Sequence, residues 1–521
     1  MKKVTIIHRA LAMRLGITSI LALTAITAVA ATTITLTVNN ARRQTVTGFG
    51  AASCDGAMKP YGTDTNPVKL LYGPTSKIGL NIMRMEISPS FTGDNWGDYD
   101  WNGSLPSAKI VKERGGIVFG TPWSPPGEYK TNGTAQGGKV NDKNDNDPQN
   151  QRGKLRTDCY EKFFPWLNTF LAWMKSKGVN VDAVSIQNEP DWWVNYSGCL
   201  YEPQELVTLV KNYAHLLDRE KYAGVKLISG ESLGFTQNYT DPLMKDTTCR
   251  KQIDIVAGHL YGHAPLTYMK ESAKLATKYG KEVWMTEHSV TDNTGRLPNW
   301  HEQLIFAEEL NECMLAGCTG YIYWYMRAHW AFVGTGEAQY NVGTMKNVKN
   351  RLLPRAYVMS HFSKHVTGST RLTTSRDKTS GEGAPTEYSA YIKGDSIIVM
   401  AIDTTKNGFD LQIKLPVKVK SGTHLLSTGN ETDSLCQEKP ITIDEPTNEV
   451  TVVMPARSLN TYIFMIDNGS AAIRDISQDD HTANHPEGPT TYYSLQGRRL
   501  DHPHGLCIER TASGTSRKVF K

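Results

Sequence analysis

The sequence has no C-x-x-C pair, no long block of like charge and no G-x-G-x-x-G after a strand-like run. Beyond its first thirty residues it also has no apolar stretch approaching the roughly 20 residues of a membrane-spanning helix. Each absence excludes something. The eight cysteines, Cys54, Cys159, Cys199, Cys249, Cys313, Cys318, Cys436 and Cys507, are too scattered for a structural zinc site, and their pairing stays open. A net charge of +5, from 57 basic and 52 acidic groups, argues against nucleic acid as the main partner. The missing glycine fingerprint argues against a dinucleotide cofactor.

What is present is a globular composition, 39% hydrophobic and 21% charged, in 521 residues, enough for two to four folded units. Eleven Trp and 23 Tyr are many, and flat rings either stack on sugar faces or fill cores. At the start, Lys2, Lys3, Arg9 and Arg14 precede an apolar run from Leu15 to Ala30 that ends in Ala28-Val29-Ala30. This pattern predicts a signal peptide over 1–30 and an exported protein, secreted or at the cell surface.

From about residue 46 short apolar runs alternate with helical patterns. Thr45 to Gly50, Leu80 to Ile87, Ile117 to Thr121, Ala183 to Gln187, Val225 to Ser229, Ile253 to His259, Glu282 to Thr286 and Tyr321 to Tyr325 are candidate parallel strands. Between them, Phe163 to Met174 has helical spacing and stops at Gly178, a residue suited to the position after a helix end. The predicted fold is an α/β (β/α)8 TIM barrel over 46–362. After it, Tyr388 to Ile392, Ser396 to Ile402, Leu411 to Leu415, Glu449 to Met454 and Asn460 to Met465 predict a β-sandwich side domain over 363–467. A strand in 31–45, a linker over 468–490 and a short tail over 491–521 complete the plan.

In such barrels the reacting groups sit at the C-terminal strand ends. The fourth candidate strand runs into Gln187-Asn188-Glu189-Pro190, and the seventh into Met285-Thr286-Glu287-His288. Two carboxylates delivered to one pocket are what glycoside hydrolysis needs. One protonates the leaving oxygen, and the other stabilises or captures the sugar cation.

These stretches, with Gly48-Phe49-Gly50, Thr121-Pro122-Trp123-Ser124-Pro125-Pro126, His259-Leu260-Tyr261-Gly262 and Tyr323-Trp324-Tyr325-Met326-Arg327, resemble glycoside hydrolase family 30. Its subfamily 8 of bacterial glucuronoxylanases is the nearest pattern, and the likeness runs from about residue 40 to 467. It implies a retaining enzyme acting on β-1,4-xylan or xylo-oligosaccharides, with Glu189 as acid/base, Glu287 as nucleophile and neither cofactor nor metal. It further implies that Asn188 holds the sugar 2-OH, that Arg84 and Tyr261 orient Glu287, and that Trp123 and Trp324 wall the cleavage point. Trp192 and Trp193, after the acid, are candidates to line the cleft.

One departure bears on substrate. The subfamily carries two consecutive arginines after the eighth-strand Trp-Tyr pair, the second binding a glucuronate branch, whereas here the run is Arg327-Ala328-His329-Trp330. Alanine offers no planar fork for a carboxylate, which predicts relaxed dependence on the branch, with Arg327 or His329 as weaker substitutes. A β-glucosidase-type relative, a glucosylceramidase or β-1,6-glucanase, and an inactive polysaccharide-binding surface protein remain as alternatives. His259 and His263 start at a strand end, not on a helix, and the acidic loop Asn141 to Asn150 lacks the Gly and Glu of a calcium loop, so neither predicts a metal. The tail around Tyr493 to Leu500 resembles short C-terminal modules of exported Bacteroidetes proteins, which suggests secretion or surface machinery as a partner.

Overall fold

The computed structural model describes residues 33–53, 65–89, 101–138, 151–222, 224–290, 299–328, 331–334, 349–377, 387–429 and 436–468. In the tail it describes 491–493, 499–500, 506–510 and 516–520. The signal-like segment, the loop 141–150, His329 and nearly all of 468–490 lie outside these residues.

The eight short apolar runs close into a parallel barrel. In chain order after the first strand, β1 (Thr33–Thr45), its staves are β2 (Gly48–Ala52), β3 (Ile82–Ile87), β4 (Ile117–Pro122), β5 (Ala183–Ser185), β6 (Lys226–Ile228), β7 (Ile255–His259), β8 (Glu282–Glu287) and β9 (Gly320–Tyr323). Each pairs with the next, and β9 pairs back to β2. The strands are buried on both faces, which is why they read as continuous apolar runs and not as alternation. Gly50 is required where β2 closes on β3, because a Cβ there would lie 1.8 Å from the Ile82 carbonyl oxygen.

Inside the barrel Ile82, Phe119, Ala183, Ile228, Ile255, Ala257, Trp284 and Ile322 form a packed plug. Phe119 meets Trp284 edge-on at 5.5 Å between centroids. Each buried isoleucine or phenylalanine here contributes about 1.5–3 kcal/mol, so the barrel interior is a packed core and not a pore. A second, larger core lies between strands and helices. Helix Tyr160–Ser176 contributes Phe163, Phe164, Leu167, Phe170, Leu171 and Met174 to it, and ends where Gly178 takes φ 84°.

The side domain has more strands than its sequence pattern suggested: β10 (Thr370–Arg376), β11 (Glu387–Lys393), β12 (Ser396–Asp403), β13 (Phe409–Thr428), β14 (Gln437–Ile441), β15 (Thr447–Met454) and β16 (Ser458–Ile466). With β1 they form one eight-stranded sheet that winds round on itself. Its layers connect through the long β13, which pairs with β15 before its irregularity near Pro416 and with β16 after it. Strand β1 completes the ring, parallel to β13 and antiparallel to β10.

Buried polar pairs join sheet to barrel. Asn311, on helix Trp300–Ala316, donates to Glu387 at 2.7 Å. His361, on helix Pro354–Ser363, lies 2.7 Å from Thr461 Oγ1 and 2.8 Å from Ser427 Oγ. Burial holds the His361 ring neutral, its pKa down at about 3. The tail is a separate unit, an antiparallel sheet of Thr491–Tyr493, Arg499–Leu500, Leu506–Arg510 and Ser516–Phe520. Cys159, Cys199, Cys249, Cys313 and Cys318 are buried free thiols, and Cys436 is a half-buried one. Among the described residues no helix is long and apolar enough to cross a membrane.

Candidate active site

Six strands deliver polar groups to the C-terminal mouth of the barrel. Arg84 projects from β3, Thr121 from β4, Asn188 and Glu189 follow β5, Glu231 follows β6, His259 ends β7 and Glu287 ends β8. At the centre is Arg84, fully buried. Its Nη1 donates to Glu287 Oε2 at 2.5 Å and its Nη2 to Asn188 Oδ1 at 2.7 Å, while Glu231 Oε2 lies 3.1 Å from Nη2. The guanidinium faces Trp123, 4.6 Å from the ring centroid, with Trp324 at 5.9 Å. A planar fork can satisfy all these acceptors at once, which a lysine could not.

The two carboxylates predicted from the strand ends come together. One oxygen of Glu189, one of Glu287 and a ring nitrogen of His259 lie within 4.8 Å of one another. Glu189 adopts φ 43°, a left-handed conformation that is uncommon for a side chain larger than glycine. Its amide donates to the Glu231 carbonyl at 2.8 Å and its own carbonyl accepts from Trp192 at 3.0 Å, so the surroundings hold the unusual turn in place.

His259 ties the acids together. Its Nδ1 lies 3.0 Å from Glu189 Oε1, and its Nε2 lies 3.5 Å from Glu231 Oε2 and 4.0 Å from Glu287 Oε2. Burial by itself disfavours a charged ring, but the Glu287 charge and the bonds to Glu189 and Glu231 prevail and raise its pKa to about 9. The imidazole is therefore a cation at neutral pH. Both its nitrogens face carboxylates, so the trio forms an ion network. Glu231 is fully buried, which alone would keep it protonated. Arg84 and His259 outweigh that and hold its pKa down to about 2, and Thr121 Oγ1 donates to it at 2.8 Å. Glu287 is pushed up from the ordinary carboxylate range by burial, against the pull of His259 and Arg84 and with the neighbouring Glu189 charge adding to the rise. Donors are in place, since Tyr261 Oη also reaches Glu287 Oε1 at 3.3 Å, and burial opposes them.

Above this network is a cavity of about 460 Å³ lined by Glu86, Trp123, Asn188, Glu189, Trp192, Tyr196, Ser197, Leu233, Tyr261, Glu287 and Trp324. Trp123 and Trp324 sit with centroids 5.9 Å apart. Trp192 and Tyr196 are exposed, at 51% and 41%.

Two of the expected substrate contacts lie apart from this cavity. Trp193 does not line the cavity. Its Nε1 donates to the Gly137 carbonyl at 3.1 Å, and Arg152 stacks over the ring at 4.2 Å, which turns it into the loop. Arg327 is entirely buried, with Ala328 beside it almost so, and neither lines the cavity. Glu231 was missed although it follows β6 as Glu189 follows β5, after the same kind of apolar run. The charge-pairing role of His259 has no signal in its own segment.

A closed (β/α)8 barrel whose mouth holds two neighbouring carboxylates between aromatic walls has the groups that glycoside hydrolysis needs. A family model described as a glycosyl hydrolase catalytic core matches residues 158–326. The chain is 27% identical over 440 residues to the glucuronoxylanase XynC of Bacillus subtilis, an alignment spanning 81% of this chain and 90% of that one. A glycoside hydrolase family 30 subfamily 8 xylanase from Clostridium acetobutylicum has the same fold, with a TM-score of 0.63 at 27% identity over 82% of this chain and 99% of that one. A shorter match joins the chain to an endo-1,6-beta-D-glucanase of Aspergillus fumigatus, 29% identical over 202 residues, 34% of this chain and 41% of that protein. The chain is a glycoside hydrolase, and its likeness to family 30 extends over about four-fifths of its length.

Proposed function

We propose that the protein cleaves β-1,4-xylosidic bonds in xylan or xylo-oligosaccharides with retention, through a glycosyl-enzyme, and without strict need for a glucuronate branch. The spacing of Glu189 and Glu287 carries the retaining reading. An oxygen of each carboxylate within 4.8 Å suits the roughly 5–5.5 Å separation of retaining enzymes better than the about 6.5–9.5 Å of inverting ones.

In the first step Glu189 gives its proton to the glycosidic oxygen while a Glu287 oxygen bonds to the anomeric carbon and the C–O bond to the leaving sugar breaks. In the second, Glu189 takes a proton from water, the hydroxide adds to that carbon and Glu287 departs as carboxylate. Arg84 orients the nucleophile and, by engaging Asn188 Oδ1, turns the Asn188 amide NH₂ toward the sugar 2-OH. His259 presents Glu189 from below.

Xylan as substrate is supported by the similarity to the Bacillus subtilis glucuronoxylanase and the Clostridium acetobutylicum xylanase. The relaxed branch requirement is supported by charge. Among the described residues every charged side chain lining the cavity is acidic, and Arg327 is withdrawn into the core, so a glucuronate would meet repulsion with no compensating fork. Export rests on the residue pattern of 1–30. The β-1,6-glucanase match favours a second reading, with the same chemistry on a different linkage. Product analysis on glucuronoxylan, arabinoxylan, linear xylo-oligosaccharides and β-1,6-glucan separates them. Products cut at a fixed distance from each glucuronate would overturn the branch-independent reading, and an α-anomer as first product would overturn retention.

A further inference from the structure

The loops after β4 and β5 are joined beneath the cleft wall by an ammonium group buried without a carboxylate. Lys130 is 2% exposed, and its Nζ donates to the carbonyls of Ala135 at 3.0 Å, Gln136 at 2.7 Å and Gly198 at 2.6 Å. The first two belong to its own loop, the third to the loop that carries Trp192, Tyr196 and Ser197. Further bonds cross the same seam: Gly137 N to Tyr196 O at 2.8 Å, Gly198 N to Ala135 O at 3.2 Å and Trp193 Nε1 to Gly137 O at 3.1 Å. Backbones touch so closely that a Cβ on Gly137 would lie 2.4 Å from the Val194 carbonyl.

Burying a cation is costly unless its hydrogens are all matched, and here three hydrogens meet three carbonyls. A methionine would fill the volume more cheaply. What the lysine adds is one buried point that gathers three carbonyls across the seam between the two loops, and the residues beside it, Tyr196 and Ser197, face the cavity.

We propose that Lys130 and Trp193 form a cross-loop staple that sets the position of the Trp192–Ser197 wall, and so governs how tightly the sugar chain is held, without touching the reacting groups. This deepens the proposed activity and rests on it for the identity of the sugar. Neither residue is a catalytic residue; both are positioning residues that act through Tyr196, Ser197 and Trp192.

The test compares the full chain with Lys130→Met and Trp193→Phe by two readouts. With xylohexaose, KM is expected to rise roughly tenfold for Lys130→Met and severalfold for Trp193→Phe, while kcat stays within about twofold. A merely structural defect would lower the active fraction and hence kcat, leaving KM alone. In parallel, amide hydrogen exchange is expected to accelerate in 131–137 and 192–198 and to stay unchanged in the barrel strands. If KM holds and those segments keep wild-type protection, the staple is refuted. If the wild type cleaves no xylan, the substrate reading fails on its own, and exchange still decides the staple. Should Lys130→Met not fold, Trp193→Phe, which keeps an aromatic ring and removes the indole N–H, carries both readouts.

Discussion

Replacing Glu231 with Gln should be costly even though Glu231 is not assigned to touch substrate. The carboxylate accepts from Thr121 and pairs with Arg84 and His259, all without exposure to water. Its pKa is lowered from 4.5 to about 2, which at about 1.4 kcal/mol for each pH unit amounts to roughly 3–4 kcal/mol. That agrees with the ~3–5 kcal/mol typical of removing one partner from a buried ion pair. Because the folded-state pKa is depressed, the contribution is fully present above pH 4.5 and is lost as pH falls through about 2. His259 has the opposite sign. Its pKa is raised from 6.5 to about 9, so its contribution is complete below pH 6.5 and is lost as pH rises through 9. In Glu231→Gln one of the carboxylates sustaining that rise is gone, and the alkaline loss should begin at lower pH. Thermal melts from pH 3 to 10 should show a drop in Tm of about 5 °C at pH 7. The variant should also have a shallower acid slope below pH 4.5 than wild type and an alkaline limb of kcat displaced downward. Equal stability at pH 7 together with unchanged acid and alkaline slopes would refute the charge-network account.

Glu287→Gln should lower turnover about 10³-fold or more with xylo-oligosaccharide binding largely kept, measured by steady-state kinetics and calorimetry. Equal activity of wild type and variant would reject Glu287 as nucleophile. Glu189→Gln should lose about 10²–10⁴-fold on xylan and much less on an aryl xyloside whose leaving group needs no proton, a contrast seen by comparing the two substrates. Trp284→Ala, in the barrel plug, should cost about 3–5 kcal/mol in denaturant unfolding, since neighbouring strands cannot collapse into the space left by the ring. Linear xylo-oligosaccharides and glucuronoxylan should be cut with kcat/KM values within about tenfold of each other. A preference of 10³ for the branched polymer would contradict the reading of Ala328.

Much of the barrel could be read because its strands are short, apolar and buried on both faces, so the signal needs only neighbouring residues. The side domain was less legible. Strand β10, Thr370–Arg376, is mostly polar, and β14, Gln437–Ile441, is charged and contains Pro440; both are held by pairing with neighbours, not by their own composition. The strand read as Leu411 to Leu415 continues past Pro416, as β13, by changing partners.

At the site, local order along the chain determined which carboxylates were candidates. A Glu directly after an apolar strand must emerge at the barrel mouth, so Glu189 and Glu287 were visible from their own segments. Only the tertiary structure decided their electrical surroundings. Arg84, Glu231 and His259 come from three different strands and share one ion network, and whether a group there is charged depends on burial and on partners far away in sequence. The same holds for Trp193 and Arg327. Residue type allowed both to bind sugar, and packing turned one into the loop and the other into the core, because a side chain's direction is set by what surrounds it.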